Sequence, residues 1–366
     1  EVAYFKNIDL KLESGYLLNQ LQINFKTYGN LNADKSNAIL ICHALTADQF
    51  VANTHPITKK DGWWSSMVGP NKPIDTNKFF VICSNVLGGC MGTTGPKEIN
   101  EITKLPYALE FPAITIKDMV KAQKHLIDAL NIKKLYAVTG ASMGAMQVLQ
   151  WIIDYPKNIT NTLHIAGALK HSTQNIAFHE VGRQAIMSDS SWHNGNYLQN
   201  KTKPERGLAV ARMIAHITYL SEQALQRKFG RKLQSKDLIS FGFDADFQVE
   251  SYLRYQGKSF VDRFDANSYL YMTRAMDYFD VTEEFPKVIK FNEEYNHHIH
   301  HCIISFTSDW LFPTNENKEI VKILNQSGRK VSFTEIETDK GHDSFLLNEP
   351  DLYKTISGFL NGNYNN

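Results

Sequence analysis

Cysteine is scarce in this sequence: Cys42, Cys83, Cys90 and Cys302 are its four, and no Cys-x-x-Cys pair occurs among them. That spacing gives no support to a zinc or dithiol redox site, and nothing in it calls for an oxidising compartment. Three of the four fall in apolar runs, so buried free thiols are expected. Long apolar runs are missing as well. Ala38–Cys42 is representative, and it is far short of the ~20 residues that cross a bilayer. Charge of one sign is not in excess. The formal net charge is +1, with no block of like charge, which gives no footing for nucleic acid or an anionic membrane. No basic-then-apolar signal pattern opens the chain, so a soluble cytoplasmic protein is the expectation. No internal repeat is present.

What remains is ordinary globular material. Of 366 residues, 43% are hydrophobic and 21% charged, enough to build a sizeable core. The residues from Phe5 to Tyr28 alternate polar and apolar around Gly15 and predict an antiparallel hairpin. Five later runs predict strands: Ala38–Cys42, Phe79–Cys83, Leu135–Thr139, Cys302–Phe306 and Val331–Ile336. The continuous apolar ones suit a parallel sheet covered on both faces. Helical spacing runs from Thr115, a possible cap, to Leu130, and from Met143 to Tyr155, where Pro156 stops it. Strand and helix in alternation predict an α/β protein with a mostly parallel sheet and helices on both faces. The alternation breaks from about Lys170 to Glu294, where Gly207–Leu220 and Ser268–Tyr278 are amphipathic and no buried strand is evident. This predicts a core of residues 1–169 and 295–366 with an inserted helical lid, 170–294, over the carboxyl edge of the sheet. The Asn-rich end, Asn361–Asn366, is expected to fray.

Gly140-Ala141-Ser142-Met143-Gly144 fits G-x-S-x-G between a predicted strand and a predicted helix. A nucleophile elbow needs that context: a sharp turn, small neighbours, and a hydroxyl at a helix N-terminus where negative charge is favoured. A serine needs a base, and the base needs an acid, in the chain order Ser, Asp or Glu, His. Asp309 follows the Cys302–Phe306 run and His342 follows Val331–Ile336, next to Gly341. Both are therefore expected at strand ends on the side where Ser142 emerges. His342 would be general base and then acid, with Asp309 fixing its tautomer. The oxyanion donors are expected to be the backbone N–H groups of Met143 and Leu45, the latter in His43-Ala44-Leu45-Thr46. His43 itself is read as shaping that loop.

Further segments give these residues company: Gly62-Trp63-Trp64, Asn85-Val86-Leu87-Gly88-Gly89-Cys90, Gly92-Thr93-Thr94-Gly95-Pro96 and Phe111-Pro112. The middle region adds Ala211-Arg212-Met213, His216-Ile217-Thr218-Tyr219, Tyr255-Gln256-Gly257 and Arg263 through Leu270, and the end adds Gly341-His342-Asp343. Together they resemble the homoserine O-acetyltransferase family of the α/β-hydrolase fold over nearly the whole chain. The resemblance implies acyl transfer from acetyl-CoA to L-homoserine in methionine biosynthesis through an acyl-serine. It implies no permanently bound cofactor and a homodimer formed through the lid. It also implies that Arg212 binds the homoserine carboxylate and Asp343 its amino group, a cation and an anion matched to an amino acid. Glycine is usual in the family where this chain has Ala47 and Ala145. Ala47 is expected to alter the acyl pocket and so to bear on the choice of donor.

Rival functions share the scaffold: succinyl transfer to homoserine or serine, hydrolysis by an esterase or thioesterase, and a catalytically silent binding protein. The run Gly88–Gly95 lacks the Gly-Lys-Ser/Thr ending of a phosphate loop and is read as tight backbone near the site. His297, His298, His300 and His301 straddle a loop and a strand start without partner ligand spacing, so no metal is expected there.

Overall fold

A computed structural model describes residues 1–234, 238–291 and 299–364. Its strands are β1 (Val2–Lys11), β2 (Leu17–Tyr28), β3 (Ala38–Cys42), β4 (Val68–Gly69), β5 (Ile74–Asp75), β6 (Phe80–Ser84), β7 (Leu135–Ala141), β8 (Ile159–Ile165), β9 (His300–Phe306) and β10 (Lys330–Ile336). Eight of them form one sheet in the order β1-β2-β6-β3-β7-β8-β9-β10, while β4 and β5 pair separately. The hairpin β1–β2 is antiparallel and joins β6 antiparallel; every later pairing in that sheet is parallel.

The strand residues divide between two cores. In β3, Ala38, Leu40 and Cys42 pack in one cluster with α1 (Ile116–Ala129) and α2 (Met143–Asp154). Ile39 and Ile41 pack in the other, with Leu352, Ile356 and Leu360 of α10 (Pro350–Tyr364). Both faces of the strand are dry, which is why its sequence is apolar throughout rather than alternating. All four cysteines are free and buried. Burial pushes the Cys90 thiol up to about 12, so it is inert as a nucleophile at neutral pH.

The start of α1 follows from its sequence. Thr115 accepts from the Asp118 amide and Asp118 reaches back to the Thr115 amide, a complete capping box. Two expectations need correction. The chain does not fray from Asn361, because α10 continues to Tyr364. The Tyr364 ring packs edge-on against Phe79 and Tyr136, and Asn361 and Asn363 bond to Lys78 and His300. The strand β8 has no counterpart among the predicted strands. Its polar residues are buried and satisfied across the sheet: Asn161 donates to the Tyr136 carbonyl at 2.8 Å, and Thr162 lies 2.8 Å from His301 Nδ1.

Between β8 and β9 the regular elements are helical: α3 (Thr173–Met187), α4 (Glu205–Tyr219), α5 (Glu222–Lys228), α6 (Gln248–Val261), α7 (Ala266–Asp277) and α8 (Glu284–Phe291). The amphipathic stretches expected at 207–220 and 268–278 correspond to α4 and α7, each displaced by one or two residues. After β9, α9 (Thr314–Gln326) returns the chain to β10. No helix among the described residues is long and apolar enough to cross a membrane. The suspected histidine group falls partly outside the described residues, at His297 and His298. His300 and His301 belong to β9 and are engaged with Asn363 and Thr162.

Candidate active site

Ser142 occupies the turn between β7 and α2 with φ 59° and ψ −123°. That is forbidden territory for most side chains and costs about 1–3 kcal/mol, which the surrounding packing must hold in place. The reason α2 can start so close to β3 is Gly144: a methyl there would lie 2.1 Å from the Cys42 carbonyl oxygen. The same carbonyl edge leads into the 43–46 loop, so the elbow and the loop of Leu45 are fixed against each other. The loop is held by His43, which is fully buried. The Val86 amide donates to His43 Nε2 at 3.1 Å, so the ring proton sits on Nδ1 and is donated to the Ala44 carbonyl at 2.8 Å. Burial pushes His43 below the usual imidazole range, so it stays neutral and structural, as read from the sequence. The turn bonds nearby, Ala47 to Ala44 and Ala145 and Met146 to Ser142, use neither the Leu45 nor the Met143 amide.

Asp309 and His342 meet as β9 and β10 end. His342 Nδ1 is 2.7 Å from Asp309 Oδ2, both buried. The other carboxylate oxygen accepts the Leu311 and Phe312 amides at 3.0 and 2.9 Å, which locks the acid's orientation. His342 Nε2 is buried and makes no hydrogen bond, so the lone pair that a nucleophile's proton would need is unspent. Ser142 and His342 are linked through a shared wall. Tyr219 and Phe312 pack on the His342 ring, and both line a cavity with Ser142 and Leu45.

The turn bearing His342 is fastened to the helices. Gly341 has φ 78°, and a methyl on it would strike the Ser221 nitrogen at 2.5 Å and the Leu220 and Tyr219 backbone at 2.8 Å. The end of α4 therefore passes directly over the histidine's turn. Trp310 donates to the Leu220 carbonyl at 2.9 Å, and Ser221 bonds the Asp339 carbonyl.

Arg212, on α4, reaches across to donate to Thr46 Oγ1 at 3.1 Å. Its guanidinium lies over the Tyr219 and Phe260 rings, 5.5 and 4.7 Å from their centroids. It borders a cleft of ≈ 300 Å³ with Lys60, Arg263 and Ala47. Burial pushes Asp343 up to about 6, against the pull of His342 and Arg212.

The family model for the alpha/beta hydrolase fold matches residues 37–349. Homoserine O-acetyltransferase of Mesorhizobium japonicum is 60% identical over 351 residues, covering 96% of this chain and 90% of the relative. The enzyme of the same name from Rhodospirillum rubrum is 59% identical over 353 residues, with the same coverages. The chain belongs to the homoserine O-acetyltransferase family of the α/β hydrolases. Among solved structures, the homoserine O-acetyltransferase of Bacillus anthracis superposes with a TM-score of 0.87 at 28% identity, over 99% of this chain and 97% of that one. Esterase E22 fits as well, with a TM-score of 0.86 at 28% identity over 98% and 99%. At this level of likeness the backbone is common to transferases and esterases, and the distinction has to come from side chains.

Family membership agrees with the resemblance read from the sequence. Ala47 lines the cleft with Arg212 and not the cavity beside Ser142. Ala145 is fully buried and packs where Gly167 leaves room, since a methyl on Gly167 would lie 2.5 Å from its Cβ. The Gly88–Gly95 run braces β2, with the Thr94 amide donating to the Gln22 carbonyl at 3.0 Å. Beside it, Val86 holds His43, and within it the Cys90 sulfur lies 3.9 Å from the Arg263 carbonyl.

Arg263 was not singled out as a site residue. It donates to the Thr46 carbonyl at 2.7 Å, so two arginines from the helices grip one core loop. Its signal was its place in the Arg263–Leu270 motif. Also missed was a group formed by α3, the residues just before it, and α7. His171 and His179 both turn Nδ1 to Asp277 Oδ1, at 3.1 and 2.9 Å, while Arg183 pairs with Asp277 Oδ2 at 2.7 Å. Among the described residues this is the one cluster with metal-ligand geometry. The guanidinium already answers the carboxylate's charge, so the set is built as an ion-pair network rather than a cation site.

Proposed function

We propose that the protein transfers an acetyl group from acetyl-CoA to the hydroxyl of L-homoserine, through an acetyl-Ser142 intermediate. His342, oriented by Asp309, takes the Ser142 proton as Oγ attacks the thioester carbon. The Leu45 and Met143 N–H groups receive the oxyanion, the carbon–sulfur bond breaks, and the proton passes to the departing CoA thiolate. The homoserine hydroxyl then gives its proton to His342 and attacks the acetyl-serine ester. Arg212 binds the amino acid's carboxylate and Asp343 its ammonium group. The observation that supports this reading is that Arg212, donating to Thr46 beside Leu45, lies within electrostatic reach of Asp343, the residue next to His342. A plain esterase has no use for a cation and an anion near its catalytic histidine, whereas an α-amino acid needs both.

The helices of residues 170–294 serve as a lid in this scheme. With Trp310, Ser221 and Gly341 joining them to the His342 turn, they limit water at the acyl-serine so that the bound alcohol outcompetes it. Leu238, Phe241 and Phe243 stand exposed in this segment. A homodimer formed through the lid would cover them. The expected setting is the cytoplasm.

Release of CoA, followed with a thiol reagent, tests the proposal. Rapid release from acetyl-CoA only when L-homoserine is present supports acetyl transfer. Equal release without an acceptor identifies a thioesterase, and faster release from succinyl-CoA identifies the succinyl donor.

A further inference from the structure

Ser142 and Leu45 share the wall of a small cavity of ≈ 30 Å³. Arg212 and Arg263 border a separate cleft. An acyl-serine ester has one direction for its carbonyl oxygen, toward the Leu45 and Met143 amides, and one for the incoming or leaving group, beside His342. The acyl chain takes what is left. This cavity touches the nucleophile and an oxyanion donor, and neither Arg212 nor Asp343 lines it. We infer that this cavity is the acyl pocket, and that Ile214, Ala215 and Met276 on its wall set the length of acyl chain that Ser142 accepts. This inference rests on the acyl-transfer reading above.

Size and charge both select acetyl. A water-sized occupant needs about 10–15 Å³ of such volume, so ≈ 30 Å³ suits a methyl group. A succinyl chain carries a further methylene and a carboxylate beyond that position. The carboxylate would meet His171 and His179. Both rings are turned onto Asp277, which Arg183 already neutralises. Burial outweighs the Asp277 contact and lowers His179 to about 4, so that ring is neutral at pH 7. The floor holds its own charges in balance and offers an incoming anion no spare cation, which makes desolvating a carboxylate there costly. The chemistry is the same for every donor: the thioester carbon–sulfur bond breaks, the serine ester forms, and the serine proton leaves with CoA.

The test compares kcat/KM for acetyl-, propionyl- and succinyl-CoA at saturating homoserine. It uses the full chain and the variants Met276→Ala, Ile214→Ala and Ala215→Val. Wild type should lose about 10–200-fold for the first added methylene, and more for succinyl. Met276→Ala and Ile214→Ala should each narrow the acetyl-to-propionyl ratio by roughly tenfold, with KM for homoserine unchanged. Ala215→Val should widen it. Ile214 is only half-buried, so its variant keeps the test open if Met276→Ala fails to fold. Folded variants that keep the wild-type ratio overturn the inference. So do variants that shift KM for homoserine instead, which would assign the cavity to the acceptor. If wild type turns over none of the three donors, the acyl-transfer reading itself falls, an outcome distinct from an unchanged ratio.

Discussion

Ser142, Asp309 and His342 hang from the ends of β7, β9 and β10, whereas Arg212 and Arg263 reach the same region from α4 and the turn after α6. The first set is placed by short side chains on a rigid sheet: a strained turn, a carboxylate fixed by two amides, a glycine under a crossing helix. The second set is placed by long side chains that span from helix to core and rest on aromatic rings. Strand ends give the precision a proton relay needs. Long arginines give reach and a planar grip that suits a carboxylate. On the proposed roles, the sheet edge supplies chemistry common to every relative with this backbone, and the helices supply the choice of substrate.

Four substitutions would break or sharpen that contrast. The largest effect should come from the core. Ser142→Ala should lower turnover by about 10⁶-fold, in both half-reactions, as read by CoA release; retained burst release would remove Ser142 from its role. Next comes the helix side. Arg212→Ala should reduce kcat/KM for homoserine about a hundredfold, the scale of a lost charge-assisted pair, while leaving the release of the first CoA equivalent near wild type. Loss of both phases together would show that the two regions do not divide the work.

Asp343 offers a pH test. Its carboxyl titrates near 6, above the ordinary carboxylate value, chiefly through burial. Because ammonium binding needs the ionised form, kcat/KM for homoserine should fall as pH drops through 6. Asp343→Asn should be weak at every pH and lose that part of the acid limb. For stability the sign is opposite to a salt-bridged acid. A raised folded pKa means that ionisation opposes folding, so this group's contribution declines as pH rises from its ordinary value of 3.8 through about 6. An acid limb unchanged in the asparagine variant would exclude Asp343. The smallest effect should be Thr115→Ala, which removes a helix cap that lines neither the cavity nor the cleft. It should cost about 1 kcal/mol in chemical denaturation, with kcat unaltered.

Much of the sheet was legible because burial on both faces leaves a plain mark: Ala38–Cys42 is apolar at every position and is dry at every position. β8 was not legible for the converse reason. Asn161, Thr162 and His164 read as polar, yet they are buried, and the first two find partners across the sheet that only the fold provides. The α10 terminus was misread because asparagine content suggests fraying, whereas Lys78, His300 and two aromatic rings pin it. At the site, Ser142 announced itself through the glycines that its turn demands, and Asp309 and His342 through their positions after strands. Arg263, His171, His179 and Asp277 carried no comparable local pattern, since each draws its meaning from partners far away in sequence.

Intact-mass analysis after mixing the protein with acetyl-CoA, followed by peptide mapping, tests the central claim most directly. One acetyl group on the peptide containing Ser142, discharged on adding L-homoserine to yield O-acetyl-homoserine, is the result that acyl transfer predicts. Turnover with no acetylated peptide, or an acetyl-Ser142 that water discharges as fast as homoserine does, would contradict it.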